Sequence, residues 1–197
     1  MKVAIFSGGE FTKTQILPFD KLICADKGYE YAKILNFIPD IILGDFDSLG
    51  YTPNNAEVFP KDKNSSDTEL ALKKAIEIGA TDIDIYFSLG GRLDHELFNI
   101  NLLKYAKNQG VTAKIISGNT LLRLISGSGN YEVKNGSVVS FVPFSSEAHI
   151  IKSEGLKYPL DKITAIKGET LTLSNEATSD EIYVEIKSGE LLLICFL

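Results

Sequence analysis

The chain has no tryptophan, one methionine, two cysteines, two histidines and only two arginines in 197 residues. Both cysteines sit inside apolar stretches, Leu22-Ile23-Cys24-Ala25 and Leu193-Ile194-Cys195-Phe196. That placement excludes a disulfide framework and reads as reduced core thiols of a cytoplasmic protein. His95 and His149 stand alone, with no Cys/His spacing around them, so there is no zinc motif. No apolar run approaches the roughly 18–20 residues that cross a bilayer. Met1-Lys2-Val3-Ala4-Ile5-Phe6 reads as a first strand rather than a secretion signal, and no membrane association is expected. Positive charge is not in excess either: the net charge is −6, and a nucleic-acid backbone needs a basic face. Neither G-x-x-x-x-G-K-[ST] nor G-x-G-x-x-G occurs, which removes P-loop and Rossmann dinucleotide chemistry.

What is present is an ordinary globular composition, 44% hydrophobic and 23% charged, in a length between one large domain and two small ones. Val3-Ala4-Ile5-Phe6, Leu22-Ile23-Cys24-Ala25, Ile41-Ile42-Leu43 and Ile83-Asp84-Ile85-Tyr86-Phe87 read as strands. Helical patterns fall near 28–36, 67–79 and 94–109, the middle one opening on the capping-box pattern Ser66-Asp67-Thr68-Glu69. Continuous apolar strands separated by helices predict a mostly parallel, doubly covered sheet, hence an α/β fold. From about Lys114 the pattern changes to short alternating runs such as Val138–Val142 and Thr170–Leu173. Gly127-Ser128-Gly129, Asn135-Gly136, Lys167-Gly168 and Ser188-Gly189 separate them, and Asn-Gly between such runs is a hairpin signal. The second half is therefore expected to be antiparallel β, with domains 1–118 and 119–197 and the boundary near 111–125.

Ten of the twelve aspartates lie between Asp20 and Asp94. Open parallel sheets bind ligands beyond the carboxyl ends of their strands, and three of these runs lead directly into aspartates. Asp26-Lys27-Gly28 follows one, Gly44-Asp45-Phe46-Asp47-Ser48 another, and Gly90-Gly91-Arg92-Leu93-Asp94-His95 a third, while Asp67 opens the 67–79 helix. A single aspartate at such a junction is most simply a turn or cap residue. Asp45 and Asp47 form an Asp-x-Asp pair that can aim two carboxylates at one hard cation. Mg2+ favours a few carboxylates with substrate phosphate oxygens. Gly91 and Arg92 precede a helix start, where bare backbone and a guanidinium fork both suit phosphate. Lys61 and Lys63, in Pro60-Lys61-Asp62-Lys63, are further phosphate contacts or else parts of a solvated loop.

Taken in order, these segments resemble the bacterial thiamine pyrophosphokinase (thiamine diphosphokinase) family. The resemblance runs through Ala25-Asp26-Lys27-Gly28, Gly44-Asp45-Phe46-Asp47-Ser48, Asp62 with Ser66-Asp67-Thr68-Glu69-Leu70-Ala71-Leu72, and Gly90 to Ile100. In the second half it rests on Gly155-Leu156-Lys157-Tyr158-Pro159-Leu160 and Ser174-Asn175-Glu176. It implies an α/β nucleotide-binding catalytic domain over 1–118 and a β-sandwich-like, thiamine-binding domain over 119–197. It also implies a cytoplasmic homodimer with shared active sites, thiamine lying between the nucleotide domain of one subunit and the β domain of the other. The implied transferase reaction moves the pyrophosphoryl group of ATP to the hydroxyl of thiamine, giving thiamine diphosphate and AMP. Asp45, Asp47 and Asp67 are then expected to hold Mg2+, and Asp94 to sit at the thiamine hydroxyl. Asp26, Lys61, Gly91 and Arg92 would serve the nucleotide, and Ser174 and Asn175 the aminopyrimidine. Lys27 stands where the family's Asp-Gly-Gly has its middle glycine. Two other readings of the same residues exist. Gly44-Asp45-Phe46-Asp47-Ser48-Leu49 also resembles the nucleophile loop of haloacid-dehalogenase-like phosphohydrolases, although there the motif follows the first strand. The altered Asp26-Lys27-Gly28 loop fits a thiamine or nucleotide sensor without turnover.

Overall fold

The computed structural model describes residues 1–196. They divide into two compact units, Met1–Gly118 and the remainder from Asn119.

In the first unit the strands are β1 (Lys2–Phe6), β2 (Lys21–Ala25), β3 (Ile41–Gly44), β4 (Glu57–Val58), β5 (Asp82–Tyr86) and β6 (Thr112–Ser117). All pair in parallel in the order β6-β5-β1-β2-β3-β4. Helices α1 (Gly28–Ile34), α2 (Asp67–Glu77) and α3 (Leu93–Asn108) make the crossovers. The continuous apolar runs are explained by burial on both faces: Val3, Ala4, Ile5 and Phe6 are all 0% exposed. The Ser66 hydroxyl caps α2 by accepting from the Glu69 amide at 3.2 Å, and Gly79, at φ 88°, ends the turn beyond it. Asp84 interrupts the apolar alternation of β5, yet is 1% exposed. Lys2 and Lys114 from the two neighbouring strands reach its carboxylate at 3.0 and 3.2 Å, which compensates a charge that could not otherwise be buried.

In the first unit the backbone departs from the expected pattern at two places. Residues from Lys114 to Ser117 do not begin the antiparallel half; they belong to β6, which pairs in parallel with β5 and buries Ala113, Ile115 and Ile116. Phe87 is not a strand residue: its φ of 54° turns the chain off the end of β5.

The second unit contains β7 (Thr120–Ile125), β8 (Ser128–Glu132), β9 (Val138–Pro143), β10 (Glu147–Glu154), β11 (Ile163–Ile166), β12 (Asn175–Glu176), β13 (Glu181–Ser188) and β14 (Leu191–Phe196). Every ladder among them is antiparallel. The orders are β12-β9-β14-β7 and β11-β10-β13-β8. One core joins the two sheets, with Val139, Phe141, Leu191 and Leu193 from the first meeting Ile150, Ile182, Val184 and Ile186 from the second. Asn135-Gly136 is therefore not a hairpin turn. It links β8 to β9, which lie in different sheets, and Ser188-Gly189 makes the same kind of crossing from β13 to β14. A local turn signal cannot tell a hairpin from a corner, because the partner strand is chosen by the distant core. Thr170–Leu173 is likewise no strand. Its leucines point outward, Leu171 and Leu173 being exposed, while Thr172 is buried. The Thr172 carbonyl accepts from the Phe141 amide at 3.0 Å, and its hydroxyl bonds the Phe141 carbonyl. Among the described residues no helix is long and apolar enough to cross a membrane.

Candidate active site

The carboxyl ends of β1, β2, β3 and β5 and the first turns of α2 and α3 meet around one cleft of about 450 Å3. Three non-glycine residues just past strand ends have left-handed backbones: Asp26 (φ 48°), Phe46 (φ 59°) and Phe87 (φ 54°). Such conformations are costly for ordinary side chains and gather where a fold re-aims the chain. At Asp26 the turn lets the amide donate to the Leu43 carbonyl at 2.9 Å. The carboxylate faces the cleft, with Oδ2 accepting from the Ser48 hydroxyl at 2.5 Å and Oδ1 buried without a hydrogen-bond partner. Gly44 (φ 149°) passes so close that a Cβ there would lie 3.1 Å from the Asp26 nitrogen. The glycine of Gly44-Asp45-Phe46-Asp47-Ser48 is thus needed for close approach.

Asp45 and Asp67 are brought together, and Lys63 lies between them. Its ammonium is 2.6 Å from Asp45 Oδ2 and 3.1 Å from Asp67 Oδ1, and all three side chains are less than a quarter exposed. The Lys63 hydrogen bond holds the Asp45 carboxyl below the usual range. Burial pushes the Asp67 carboxyl up, with Lys63 opposing. Burial also works against the Lys63 ammonium, but its hydrogen bonds to Asp45 and Asp67 outweigh this and raise its pKa.

Asp47 does not join the pair. Phe46 is 2% exposed in its left-handed conformation, and that buried anchor separates the flanking carboxylates. Asp47 turns outward to Lys61, at 2.6 Å, and its amide donates to Asp45 Oδ1 at 3.2 Å. Of the three aspartates expected at the metal, Asp45 and Asp67 converge while Asp47 faces Lys61, and the described residues contain no group of three potential ligands in ligating geometry. Asp45 and Asp67 still fit a hard divalent cation: both are oxygen donors and already share one positive charge. Asp26, with its unpartnered Oδ1, faces the same cleft.

Gly91 and Arg92 also line the cleft, and the Gly91 amide donates to Glu96 Oε1 at 2.8 Å. Arg92 occupies the residue before α3 and grips Asp94 with Nε at 3.1 Å and a terminal nitrogen at 2.6 Å. That grip lowers the Asp94 carboxyl and raises the guanidinium. Asp94 is exposed and flanks the cleft rather than lining it. Sequence inspection missed Ser88 and Asn99. The Asn99 amide donates to the Ser88 carbonyl at 2.7 Å, and the buried Ser88 hydroxyl has no hydrogen-bond partner. Both line the cleft; Asn99 falls within the Gly90–Ile100 segment that carries the family resemblance but was assigned no role there, and Ser88 belongs to no such pattern.

In the second unit Ser174 is left-handed (φ 56°), and its amide donates to the Ser140 hydroxyl at 3.0 Å. Asn175 is 4% exposed and already occupied. Its Oδ1 accepts from the Tyr158 and Glu176 amides at 3.1 and 2.9 Å, and its Nδ2 donates to the Tyr158 carbonyl at 2.6 Å. Both carbonyl lone pairs are used. The Asn175 side chain therefore ties the 155–159 loop to β12 and has no acceptor left for an aminopyrimidine. Tyr158 itself is exposed, as are Leu171 and Leu173. Asn175→Ala leaves three buried or half-buried backbone groups unpaired. It is expected to cost about 2 kcal/mol, seen as a lower denaturation midpoint with an unchanged slope.

A cleft of carboxylates, cations and glycine turns at the carboxyl edge of a parallel sheet defines an α/β phosphate-handling enzyme domain, here followed by a separate β-sandwich unit. The profile of the thiamin pyrophosphokinase catalytic domain matches residues 16–115, and that of the thiamin pyrophosphokinase vitamin B1 binding domain matches residues 130–192. Thiamine pyrophosphokinase of Bacillus subtilis is 30% identical over 183 residues, covering 87% of this chain and 85% of that protein. Its crystal structure superposes with a TM-score of 0.86 at 28% identity, over 100% of this chain and 99% of the other. The enzyme of Geobacillus thermodenitrificans gives a TM-score of 0.85 at 27% identity, over 100% and 98%. The chain belongs to the thiamin pyrophosphokinase family.

Proposed function

We propose that this cleft transfers the pyrophosphoryl group of ATP to the hydroxyl of thiamine, giving thiamine diphosphate and AMP. The observation that carries the site assignment is the convergence of Asp45 and Asp67 on one cation, in the cleft that Gly91 and Arg92 also line. Asp45 and Asp67, with Asp26 beside them, would hold Mg2+ against the phosphate chain. When bound, Mg2+ would neutralise charge on the phosphate oxygens. Arg92 and Lys63 supply further positive charge, and Lys61 with Asp47 forms the outer rim. Phosphoryl-type transfers have loose transition states, so positioning and charge neutralisation carry most of the catalysis.

The thiamine hydroxyl oxygen attacks the β-phosphorus, the bond from that phosphorus to the oxygen bridging the α-phosphorus breaks, and AMP leaves with the bridging oxygen. Asp94, ion-paired with Arg92, would orient the hydroxyl or accept its proton. On the second unit, Ser174 and the exposed Tyr158 ring offer a hydroxyl and an aromatic face. The proposed assembly is a homodimer with shared active sites in the cytoplasm, and the exposed Leu93, Leu97 and Phe98 on α3 support a subunit interface.

Product analysis tests the reaction. With ATP, thiamine and Mg2+, AMP and thiamine diphosphate are expected in equal amounts and only when thiamine is present. ADP with thiamine monophosphate would overturn attack at the β-phosphorus. Thiamine-independent inorganic phosphate would favour the phosphohydrolase, and binding of both ligands without AMP would favour the sensor. Light scattering on the same preparation checks the dimer.

A further inference from the structure

A hollow of about 440 Å3 lies on the second unit where β10 runs between β11 and β13, and none of its residues lines the cleft. The sheet is irregular on both sides of Ile150. His149 pairs with Ser188, Ile150 with Ile186 and Lys152 with Glu185, so Lys187 is an extra residue on β13 and Ile151 an extra residue on β10. Bulges of this kind re-aim side chains and break the alternation of a sheet. Lys162 lines the same hollow from the turn before β11. Its backbone is left-handed (φ 60°), and its amide donates to the carbonyl of the bulged Ile151 at 3.2 Å. Such a conformation is costly for a lysine and gathers where a fold builds a site.

Two lysines thus line one hollow that has no carboxylate in its wall. Neither Lys162 nor Lys187 has an ion-pair partner among the described residues, whereas the nearby Lys152 is matched by Glu154 at 2.5 Å and Lys157 by Glu176 at 2.9 Å. The adjacent acids are already engaged: Glu147 meets His149 Nε2 at 3.2 Å, and Asp161 Oδ1 accepts from the Ser153 amide at 2.7 Å. His149 is engaged on both sides, because its Nδ1 lies 2.8 Å from the Thr164 hydroxyl. The ring is therefore a fixed wall rather than a free donor. The Ser188 hydroxyl, next to Lys187, has no hydrogen-bond partner among the described residues. Ile150, Ile151 and Ile163 complete the lining, and Ile151 is 40% exposed. Two cations and a hydroxyl beside an aliphatic surface match an anion that carries an apolar body.

We propose that Lys162, Lys187 and Ser188 form a binding site for a small organic phosphate, its phosphate on the two ammonium groups and the hydroxyl, its apolar portion against Ile151. A phosphate monoester suits these donors better than a carboxylate, since it brings nearly two negative charges and three acceptor oxygens. The site lies wholly within the second unit, so it stands whether or not the cleft turns over ATP and thiamine.

Amide NMR titration with phenyl phosphate tests it, because each residue reports separately and binding in the cleft is read at Gly91 instead. The amides of Lys162, Thr164, Lys187 and Ser188 are expected to shift saturably, with a dissociation constant below about 1 mM that weakens as salt is raised. Lys162→Met and Lys187→Met should each weaken binding by about three- to fivefold, and the double variant by about tenfold or more. Lys187→Arg, which keeps the charge, should stay within about twofold of the wild type, and unfolding midpoints should not move in any of them. Inorganic phosphate and phenylacetate should each bind at least about threefold more weakly, the first for want of an apolar portion and the second for want of charge. Shifts confined to the cleft, or an unchanged affinity in the double variant, would overturn the site. Inorganic phosphate binding as tightly as phenyl phosphate would overturn the role of Ile151, and phenylacetate doing so would overturn the assignment to phosphate.

Discussion

Asp45→Asn is expected to lower turnover at least about a hundredfold, as loss of a charge clamp in a phosphoryl-transfer site commonly does. The substitution keeps the size of the side chain and one oxygen but removes the charge. Lys63 would then face Asp67 alone, and a cation shared by the two carboxylates would lose half of its anionic support. Asp67→Asn should behave similarly, since Asp67 shares the Lys63 cation with Asp45 and removing its charge takes away the other half of the clamp.

The informative comparison is Asp47→Asn. The Asp-x-Asp spacing gives Asp47 the same standing as Asp45, but its carboxylate is turned outward in a pair with Lys61 that is largely exposed. Because that carboxylate stands outside the Asp45–Lys63–Asp67 cluster, a loss of about tenfold or less is expected there. Turnover at saturating ATP, thiamine and Mg2+, with unfolding midpoints confirming that each variant is folded, decides the matter. A more damaging Asp47→Asn than Asp45→Asn would show that the bound state rebuilds the loop around Phe46.

Gly28→Ala is expected to be the most damaging substitution for the fold. A methyl group there would lie 2.0 Å from the Phe6 carbonyl oxygen and 2.5 Å from its carbon. Both are backbone atoms of the central strand, so no side chain can move aside. The start of α1 would have to leave β1, and with it Asp26 and Lys27 would leave the cleft edge. Overpacking against fixed backbone puts the loss at about 3 kcal/mol. Gly91→Ala is the control, because a Cβ there meets nothing within 4 Å. Denaturant midpoints for the two variants should separate widely, and coincident midpoints would refute the close approach.

Much of this was legible in the residues. Continuous apolar runs foretold the parallel strands because both sheet faces are buried, and Ser66-Asp67-Thr68-Glu69 foretold the start of α2 because capping is a local interaction. Asp26, Asp45, Asp67, Gly91 and Arg92 all reach the cleft for a topological reason: in a parallel sheet every strand ends at the same edge. Only the tertiary structure decided the rest. Asn135-Gly136 turns a corner between sheets because the core on both sides selects the partners. Asn175 is spent on the backbone of Tyr158, a neighbour 17 positions away that no local pattern identifies. Asp47 is parted from Asp45 by a buried phenylalanine with a left-handed backbone, and Lys63 rather than a third carboxylate fills the gap to Asp67. Spacing determines which residues arrive at an edge. The direction each side chain takes, and the charge it meets there, depend on backbone angles and distant contacts that exist only once the chain has folded.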